Sequence, residues 1–558
     1  AIKQWKSFDA VYALQDIARS SKEREEIAQA VDALIEKVAS SNKTGAVKYL
    51  FLRNAMEMAQ TVKQKNDILR LLGTTDMYQA MLFVAPYLDD PALRESAAQA
   101  AMNIALNNPS FAGAETTAIL NKVSKTLNNP DADYQRQSIR KYLSENPTTG
   151  GFVSLFNGKD LEGWKGLVGN PITRAKMSKK ELAAAQAKAD REAFNDWKVV
   201  DGTIVFDGKG FNNLCTVEQY GDFELLVDWK LFPGPEPDAG IYLRGTPQVQ
   251  IWDTARVDVG AQVGSGGLYN NQVHPSKPLK VADLKVGEWN TFRIRMIGDR
   301  VSVWLNGELV TDNVILENYW DRSLPIFPIE QIELQAHGSK VAYRDIYIKE
   351  FERPEPFRLS EEEEKEGFRV LFDGTNMHEW TGNTKDYVLE DGNIVMHPSK
   401  SFGGNLYTKD EFDNFVLRFE FMLTPGANNG LGIRTPMEGD AAYVGMELQI
   451  LDNEAPIYKD LQPYQYHGSV YGVIPAKRGY LKPTGEWNYQ EVIADGDHIK
   501  VILNGTTILD GNIREAAKNG TMDHKDHPGL FNKKGHIGFL GHGSEVKFRN
   551  IRIKELKN

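Results

Sequence analysis

The stretch SLFNGKDLEGW at residues 154–164 occurs again, in altered form, as VLFDGTNMHEW at residues 370–380. Each version reads Leu-Phe-Asn/Asp-Gly and has a tryptophan six residues after the glycine. More blocks match in the same order, for example WKVVDGTIVF with YVLEDGNIVM. The separation of matched blocks changes along the chain, which indicates insertions within a duplicated domain. We therefore predict two homologous domains, residues 151–353 and 366–558.

The pattern within each copy predicts an all-β domain. Phe292, Ile294 and Met296 alternate with arginines, as in a strand that buries one face. Asp-Gly, Asn-Gly and Gly-Asp pairs separate many short strands of this kind and are typical of hairpin turns. Many short strands of this kind within one domain predict a two-sheet sandwich.

Residues 1–147 have a different pattern, that of packed α-helices. They are rich in Ala, Leu, Lys and Glu, and apolar residues recur at helical spacing in AVDALIEKVAS. We predict an α-helical domain of the HEAT or armadillo kind, serving packing or docking. A helical insertion at about 172–197 interrupts the first β-domain and begins with a capping box of Ser178 and Glu181.

Composition limits the classes of partner. The 558 residues carry a net charge of −11, whereas nucleic-acid-binding domains favour a basic face. No apolar run approaches the roughly 18 residues needed to cross a bilayer. The single cysteine, Cys215, cannot form an intrachain disulfide, and we interpret it as a buried apolar residue. The first residues fit either a cytoplasmic protein or an exported one without its signal peptide.

Familiar catalytic motifs are absent from the sequence. It contains no phosphate-binding loop between a strand and a helix, no Gly-x-Ser-x-Gly elbow and no His-Glu-x-x-His motif. HKDHPG at 524–529 offers two histidines and an aspartate. This stretch is either part of a zinc site, which would need a third ligand, or a polar loop; the second reading is favoured.

The second β-domain contains the candidate site. Strand alternation places Glu447 and Gln449 on one face, and Asp452 lies at the strand end. Arg434 follows the Gly-rich stretch NNGLGI. A carboxylate, an amide and a guanidinium on an apolar sheet predict a site for sugar hydroxyls, in which the carboxylate can act as a base. The alternative is a surface strand with a salt bridge.

Aromatic and histidine side chains follow this strand. Tyr466, His467 and Tyr471 lie in or just after PYQYHGS, and aromatic faces can stack on sugar rings. A His-Gly pair precedes the last strand of both copies, at His337 and His542. These histidines are either turn residues or part of the site.

The first β-domain retains part of the pattern. It keeps Arg244, Gln250 and Asp253 but has Gln248 where the second copy has Glu447. An amide cannot replace a carboxylate as a base. The first domain therefore either binds without catalysis or uses other groups.

Both β-domains resemble the 3-keto-disaccharide hydrolase domain family. The resemblance rests on LFNGKDLEGW, YGDFELLVDWK, VQIWD, GEWN, LQAHG and RDIYIKE in the first copy and on the stretch from LFDGTNMHEW to FRNIRIKEL in the second. It implies a concanavalin A-like lectin/glucanase jelly roll in each domain. It also implies export by glycan-digesting bacteria, hence a periplasmic, secreted or surface-attached protein. Some members cleave glycosides already oxidised to a ketone at sugar carbon 3.

The resemblance implies proton abstraction at carbon 2, elimination of the glycosidic oxygen and addition of water. Such a site needs a base, support for the enolate oxygen and an acid. We expect Glu447 or His467 to be the base, Arg434 to support the oxyanion and His542 to be the acid. No cofactor is required by the sequence, although a divalent cation could support the enolate. Substrate contacts are expected from Gln449, Asp452, Tyr466, Tyr471, Arg244, Gln248, Gln250, Asp253 and His337.

We therefore expect an exported glycoside-cleaving enzyme with carbohydrate as its partner, and the second sandwich as its active domain. One alternative is a lectin-like protein that binds carbohydrate without turnover. Another is a scaffold in which residues 1–147 dock a protein partner.

Overall fold

The computed structural model describes residues 5, 7–398 and 404–556. They form two compact units. The first comprises Ala1–Met296, Val301–Arg322 and Ile329–Phe351, and the second comprises Ile297–Arg300, Ser323–Pro328 and Glu352–Asn558. No helix in the described ranges has the length and apolar character needed to cross a bilayer.

The N-terminal segment is helical, as predicted. Its apolar stripes form the core: in helix α2, Arg24–Ala39, the apolar residues at helical spacing from Val31 to Val38 are buried. Threonine side chains accept backbone N–H hydrogen bonds at the starts of helices α3, Gly45–Met58, and α4, Val62–Leu72. In the described residues this segment contains α1 to α8: Ala10–Ser20, Arg24–Ala39, Gly45–Met58, Val62–Leu72, Tyr78–Val84, Arg94–Asn107, Ala114–Thr126 and Ala132–Glu145.

The helices share a core with the first β-domain. Leu226, Trp289 and Ala342 of that domain belong to the same buried cluster as the helical apolar residues. The Tyr49 hydroxyl donates to Asp345 at 3.0 Å, and Arg53 forms an ion pair with the same carboxylate. The predicted helical domain is therefore packed into one unit with the first sandwich. No observation identifies a protein partner for it, so docking stays a prediction.

The first β-domain is a sandwich of an eight-stranded and a five-stranded sheet. Strands β1 to β13 are Val153–Ser154, Trp164–Gly166, Trp197–Val200, Thr203–Phe206, Leu214–Thr216, Phe223–Leu231, Asp238–Leu243, Thr246–Trp252, Asn290–Ile297, Arg300–Leu305, Glu308–Ile315, Glu333–Leu334 and Val341–Glu350. The strand orders are β11-β10-β9-β6-β13-β4-β3, with β1 beside β13, and β2-β5-β12-β7-β8. The predicted insertion is present as helices α9, Pro171–Ala175, and α10, Lys179–Asp196.

The second β-domain repeats this architecture. Strands β14 to β26 are Arg369–Phe372, Trp380–Gly382, Tyr387–Glu390, Asn393–Met396, Leu406–Phe412, Phe415–Leu423, Asn428–Thr435, Met446–Leu451, Trp487–Asp495, His498–Leu503, Thr506–Asn512, Gly535–Phe539 and Val546–Glu555. Helices α11, α12 and α13 are Glu361–Glu366, Ala441–Val444 and Ile513–Ala517.

The sheets of the second domain have the same order as those of the first. They are β16-β17-β26-β19-β22-β23-β24, with β14 beside β26, and β15-β18-β25-β20-β21. Each position corresponds to one strand of the first domain, and neighbouring strands are antiparallel. The predicted fold class, a helical segment followed by two all-β sandwiches, is confirmed.

Candidate active site in the second sandwich

The candidate site lies on the outward face of the five-stranded sheet in the second domain. Along β21, Leu448 and Ile450 enter the apolar core. Glu447, Gln449 and Leu451 alternate with them and line a cavity of about 200 Å³ on the opposite face. The predicted alternation therefore brings the carboxylate and the amide into one hollow.

The Glu447 carboxylate has room beside the sheet because one neighbouring residue has no side chain. Gly430 of β20 pairs with Gln449, so it lies diagonally across from Glu447. A Cβ atom on Gly430 would lie 2.8 Å from Cδ of Glu447 and would overlap its Oε1. The Glu447 carboxylate thus lies over the bare backbone of the adjacent strand.

Glu447 and His542 form the charged centre of the cavity. Oε1 of Glu447 lies 3.8 Å from Nε2 of His542, and the Glu447 side chain is 6% exposed. The neighbouring Glu447 carboxylate raises the pKa of His542 above its ordinary value, against the effect of burial. A buried carboxylate beside a partly exposed, protonatable imidazole can accept a proton from one atom of a ligand and donate one to another.

Neutral polar groups complete the lining. Asn428 and Gln449 are two amides on adjacent strands. The Tyr471 hydroxyl accepts a hydrogen bond from Nε2 of Gln465 at 3.2 Å, and its backbone N–H donates to the Glu447 carbonyl. Amide and hydroxyl groups of this kind suit the hydroxyls of a sugar.

The structure does not bring Arg434 to this cavity. Its guanidinium donates to the carbonyl oxygens of Asp413 and Gly496 and to the side chain of Asn414. Arg434 has a left-handed backbone with φ 48°, and the pairing of β20 with β25 is irregular between Gly432 and Thr435. Strict alternation therefore ends before Arg434, and the arginine secures neighbouring turns.

His467 also lies outside the cavity. It is 1% exposed, its ring stacks on Phe421, and Nε2 lies 2.8 Å from Oε1 of Gln490. Nδ1 accepts the backbone N–H of Leu451, so Nε2 carries the hydrogen that bonds Gln490. Burial lowers the pKa of His467 to about 4. A neutral core histidine with both nitrogens occupied is not placed to act as the base.

Asp452 and Tyr466 stabilise loops through hydrogen bonds and do not line the cavity. Asp452 accepts the backbone N–H groups of Gly426 and Glu454. The Tyr466 hydroxyl donates to the Tyr458 carbonyl at 2.9 Å, and its ring is buried beneath an arginine side chain. Both residues shape the loops around the site.

Two residues that the sequence did not single out lie in or next to the cavity lining. Tyr443, on α12, lines the cavity. Nζ of Lys525 lies 3.0 Å from the Tyr443 hydroxyl, although 82 residues separate them. Lys525 lies inside HKDHPG, a stretch that the sequence analysis noted for its histidines and aspartate. Only the fold shows that its lysine faces Tyr443. Within the described ranges no three His, Cys, Asp or Glu side chains are grouped to hold a metal ion; the divalent cation stays a prediction.

The first sandwich has a different set of groups on the same face. Gln248 replaces Glu447 and donates to Gln250, which donates to Asp238 at 2.9 Å. His337 lies 3.9 Å from Asp238 and is half exposed. These residues form a row of amides that ends in a carboxylate and an imidazole.

Two other residues predicted for the first sandwich lie elsewhere. Arg244 is fully buried and donates to the sulfur of Met296. Asp253 accepts the backbone N–H of Ala255 in a turn. The sheet face of the first sandwich therefore also has a carboxylate and histidine pair, but its carboxylate comes from Asp238, while Gln248 stands at the position of Glu447.

Comparisons with known proteins find relatives that match part of this chain. A relative named 3-keto-disaccharide hydrolase, from Bacteroides thetaiotaomicron, is 28% identical over 250 residues, which are 38% of this chain and 86% of the relative. Two crystal structures from Parabacteroides distasonis, assigned as glycosyl hydrolases, are 29% and 23% identical. They cover 34% and 36% of this chain and 99% and 100% of their own, with TM-scores of 0.31 and 0.32.

The family model of the 3-keto-alpha-glucoside-1,2-lyase-like domain matches residues 151–349 and 367–554. Each match falls on one sandwich, and together they cover more than half of the chain. The chain therefore belongs to the 3-keto-alpha-glucoside-1,2-lyase-like domain family, of which it contains two tandem copies.

Proposed function

We propose that this protein is a carbohydrate-active enzyme that cleaves glycosidic bonds of sugars oxidised to a ketone at carbon 3, and that its second sandwich is the active domain. Family membership and the relative's name support an enzyme that acts on glycosides. The observation that carries the proposal is the pair of Glu447 and His542, 3.8 Å apart in a polar cavity. Export to the periplasm or cell surface stays a prediction.

The pair matches the demands of elimination. A ketone at carbon 3 acidifies the hydrogen on carbon 2, and the Glu447 carboxylate accepts this proton while the C–H electron pair forms the enolate. The enolate then collapses, a double bond forms between carbons 1 and 2, and the glycosidic oxygen leaves. Protonated His542 donates the proton that the leaving oxygen needs.

Hydration restores the site. Water adds its oxygen to carbon 1, its proton returns to His542, and Glu447 returns its proton to carbon 2. The sum is one glycoside and one water giving a free keto sugar and an alcohol. Gln449, Asn428 and Tyr471 line the cavity where they would bind the remaining hydroxyls.

The direct test compares nitrophenyl glucosides, of both anomers, with and without a ketone at carbon 3. We expect nitrophenol release from a keto substrate only, because the unoxidised sugar has no acidic hydrogen on carbon 2. In D₂O, the recovered keto sugar should carry deuterium at carbon 2, because the acidic proton on the Glu447 carboxyl exchanges with solvent before it is returned. Release from the unoxidised glucoside at an equal rate, or no release from any of the four compounds, would refute the proposal.

The first sandwich has a second candidate function, carbohydrate binding without turnover. The observation that favours it is Gln248 in the place of Glu447, within the row of Gln248, Gln250 and Asp238. Calorimetry on the Glu447→Gln variant, with a 3-keto-glucoside that this variant cleaves too slowly to disturb the titration, should give two sites per chain. Adding Gln250→Ala should leave one site. A single site in both variants would contradict binding by the first sandwich.

A further inference from the structure

The aromatic side chain of Tyr443 lies at the cavity that contains Glu447. It is carried by α12, the short helix that leads into β21, and its main chain is fixed at both sides. Its N–H donates to the Asp440 carbonyl at 2.9 Å, and its own carbonyl accepts the N–H of Gly529 at 2.8 Å. The phenol is half-buried, so it is held in place and still faces the cavity.

A cation is bound to the hydroxyl of this tyrosine. Nζ of Lys525 lies 3.0 Å from the Tyr443 oxygen and 5.2 Å from the ring centroid. An ammonium group can only donate hydrogen bonds, so the Tyr443 oxygen accepts this one. The hydrogen on that oxygen then remains available for another acceptor, and the hydrogen bond that the hydroxyl accepts polarises the one that it donates.

A buried pair of side chains, Asp523 and His527, anchors the loop that carries Lys525. Nε2 of His527 lies 3.0 Å and 3.1 Å from the two carboxylate oxygens of Asp523, and both side chains are almost fully buried. The His527 ring packs against the Tyr443 ring at 4.8 Å between centroids. Asp523 and His527 therefore hold Tyr443 and Lys525 at a fixed separation.

The proposed elimination needs a donor for the enolate oxygen, and Arg434 points away from the cavity. We propose that Tyr443 donates this hydrogen bond to the oxygen on carbon 3, with Lys525 as the positioning residue that polarises the phenol. This inference rests on the proposed function. As Glu447 takes the carbon 2 proton, the electron pair moves onto the carbonyl oxygen, and the Tyr443 hydroxyl hydrogen bonds that oxygen. When the double bond between carbons 1 and 2 forms, the charge leaves the oxygen and the tyrosine keeps its hydrogen.

Tyr471 is the other phenol at this cavity, and its surroundings differ. Its oxygen accepts from a neutral amide, Gln465, at 3.2 Å rather than from a cation. The phenol of Tyr471 interacts electrostatically with Tyr443, Lys525 and Glu447, so these groups surround the same cavity. The cation beside Tyr443 makes it the stronger donor of the two.

The test uses the full chain and the keto nitrophenyl glucoside that the wild type cleaves. Tyr443→Phe should lower kcat by about 100-fold or more, the effect of removing one donor to a developing oxyanion, with KM changed by less than about threefold. It should slow deuterium exchange at carbon 2 by a similar factor. Tyr471→Phe is the matched variant and should lose less.

The role of Lys525 is tested by removing its positive charge and by restoring it. Lys525→Met should lower kcat, and Lys525→Arg should restore most of it, because a guanidinium also donates to the phenol oxygen. Lys518→Met, at an exposed lysine paired with Glu515, is the control. Circular dichroism and Tm identify any variant that fails to fold. Lys525→Arg then shows whether a loss of kcat in Lys525→Met comes from the missing positive charge or from a disturbed fold.

The two proposals fail in different ways. If the wild type cleaves the keto glucoside but Tyr443→Phe retains kcat within threefold, the assignment of Tyr443 is wrong and the proposed function stands. If the wild type cleaves none of the glucosides, both proposals fall together.

Discussion

Gly430 and Glu447 occupy adjoining space on neighbouring strands, and any side chain on Gly430 would displace the carboxylate. A Cβ atom there would overlap Oε1 of Glu447 and lie 2.8 Å from its Cδ. Gly430 has no positive φ that would demand glycine for the backbone. Its role is therefore to leave room, and the position of the Glu447 carboxylate depends on a residue that has no chemistry of its own.

We expect Gly430→Ala to lower kcat on a 3-keto-glucoside by about 100-fold, because a misplacement of about 1 Å in a reacting group can cost that much. Steady-state kinetics measure the effect. Gly511→Ala, in a strand of the other sheet where the nearest atom is the tip of Ile474, is the control and should change kcat by less than twofold. Equal rates in the two variants would show that the carboxylate position does not matter.

Replacing Glu447 by glutamine should lower turnover by about 100-fold or more, since an amide cannot accept the carbon 2 proton. Deuterium exchange at carbon 2 should stop as well. Glu454→Gln, an exposed glutamate of the following loop, provides the comparison and should behave as wild type. An unchanged rate in Glu447→Gln would remove Glu447 from the mechanism.

The protonation of His542 should depend on Glu447. Because the pKa of His542 is raised by the carboxylate, the ion pair is complete below the ordinary histidine pKa and is lost as pH rises through the raised value. We expect kcat to fall on the alkaline side as His542 loses its proton. NMR titration of the His542 ring should give a lower pKa in Glu447→Gln than in the wild type; equal values would show that the two groups are not coupled.

The buried His467 should make the protein sensitive to acid. Its pKa is lowered to about 4 in the folded chain, against about 6.5 when unfolded, so the unfolded state binds an extra proton between these values. The free energy of unfolding should fall by about 3 kcal/mol as pH drops from 6.5 to 4. Urea unfolding across this range measures it. His467→Gln should remove this part of the slope, and an unaltered slope would contradict the assignment.

Arg53 should stabilise the junction of the helical segment with the first sandwich. Its ion pair with Asp345 is about one-fifth exposed or less on both sides, and loss of the cation leaves that carboxylate close to the buried Asp228. We expect Arg53→Leu to lower the free energy of unfolding by about 3 kcal/mol. Arg70→Leu, which breaks an exposed pair with Asp67, should cost less than about 1 kcal/mol. Equal costs would mean that the junction is not held by this pair.

The sequence by itself determined the duplication, the all-β class of both copies and the shared face of Glu447 and Gln449. These features follow from local rules: turn residues repeat at fixed places, and a strand alternates its side chains with a period of two. The alternation of side chains fails at Arg434. This residue has a left-handed backbone conformation at a strand irregularity, and its side chain therefore points toward Asp413 and Gly496.

Only the tertiary structure decided which loop residues meet. His467 and Tyr466 follow the strand closely in sequence, yet one enters the core and the other holds a loop. Lys525 is 82 residues from Tyr443 and contacts it because the chain returns over the sheet. No local pattern encodes such a contact, since it depends on the packing of separate loops onto one face; the core that joins helices and first sandwich arises in the same way.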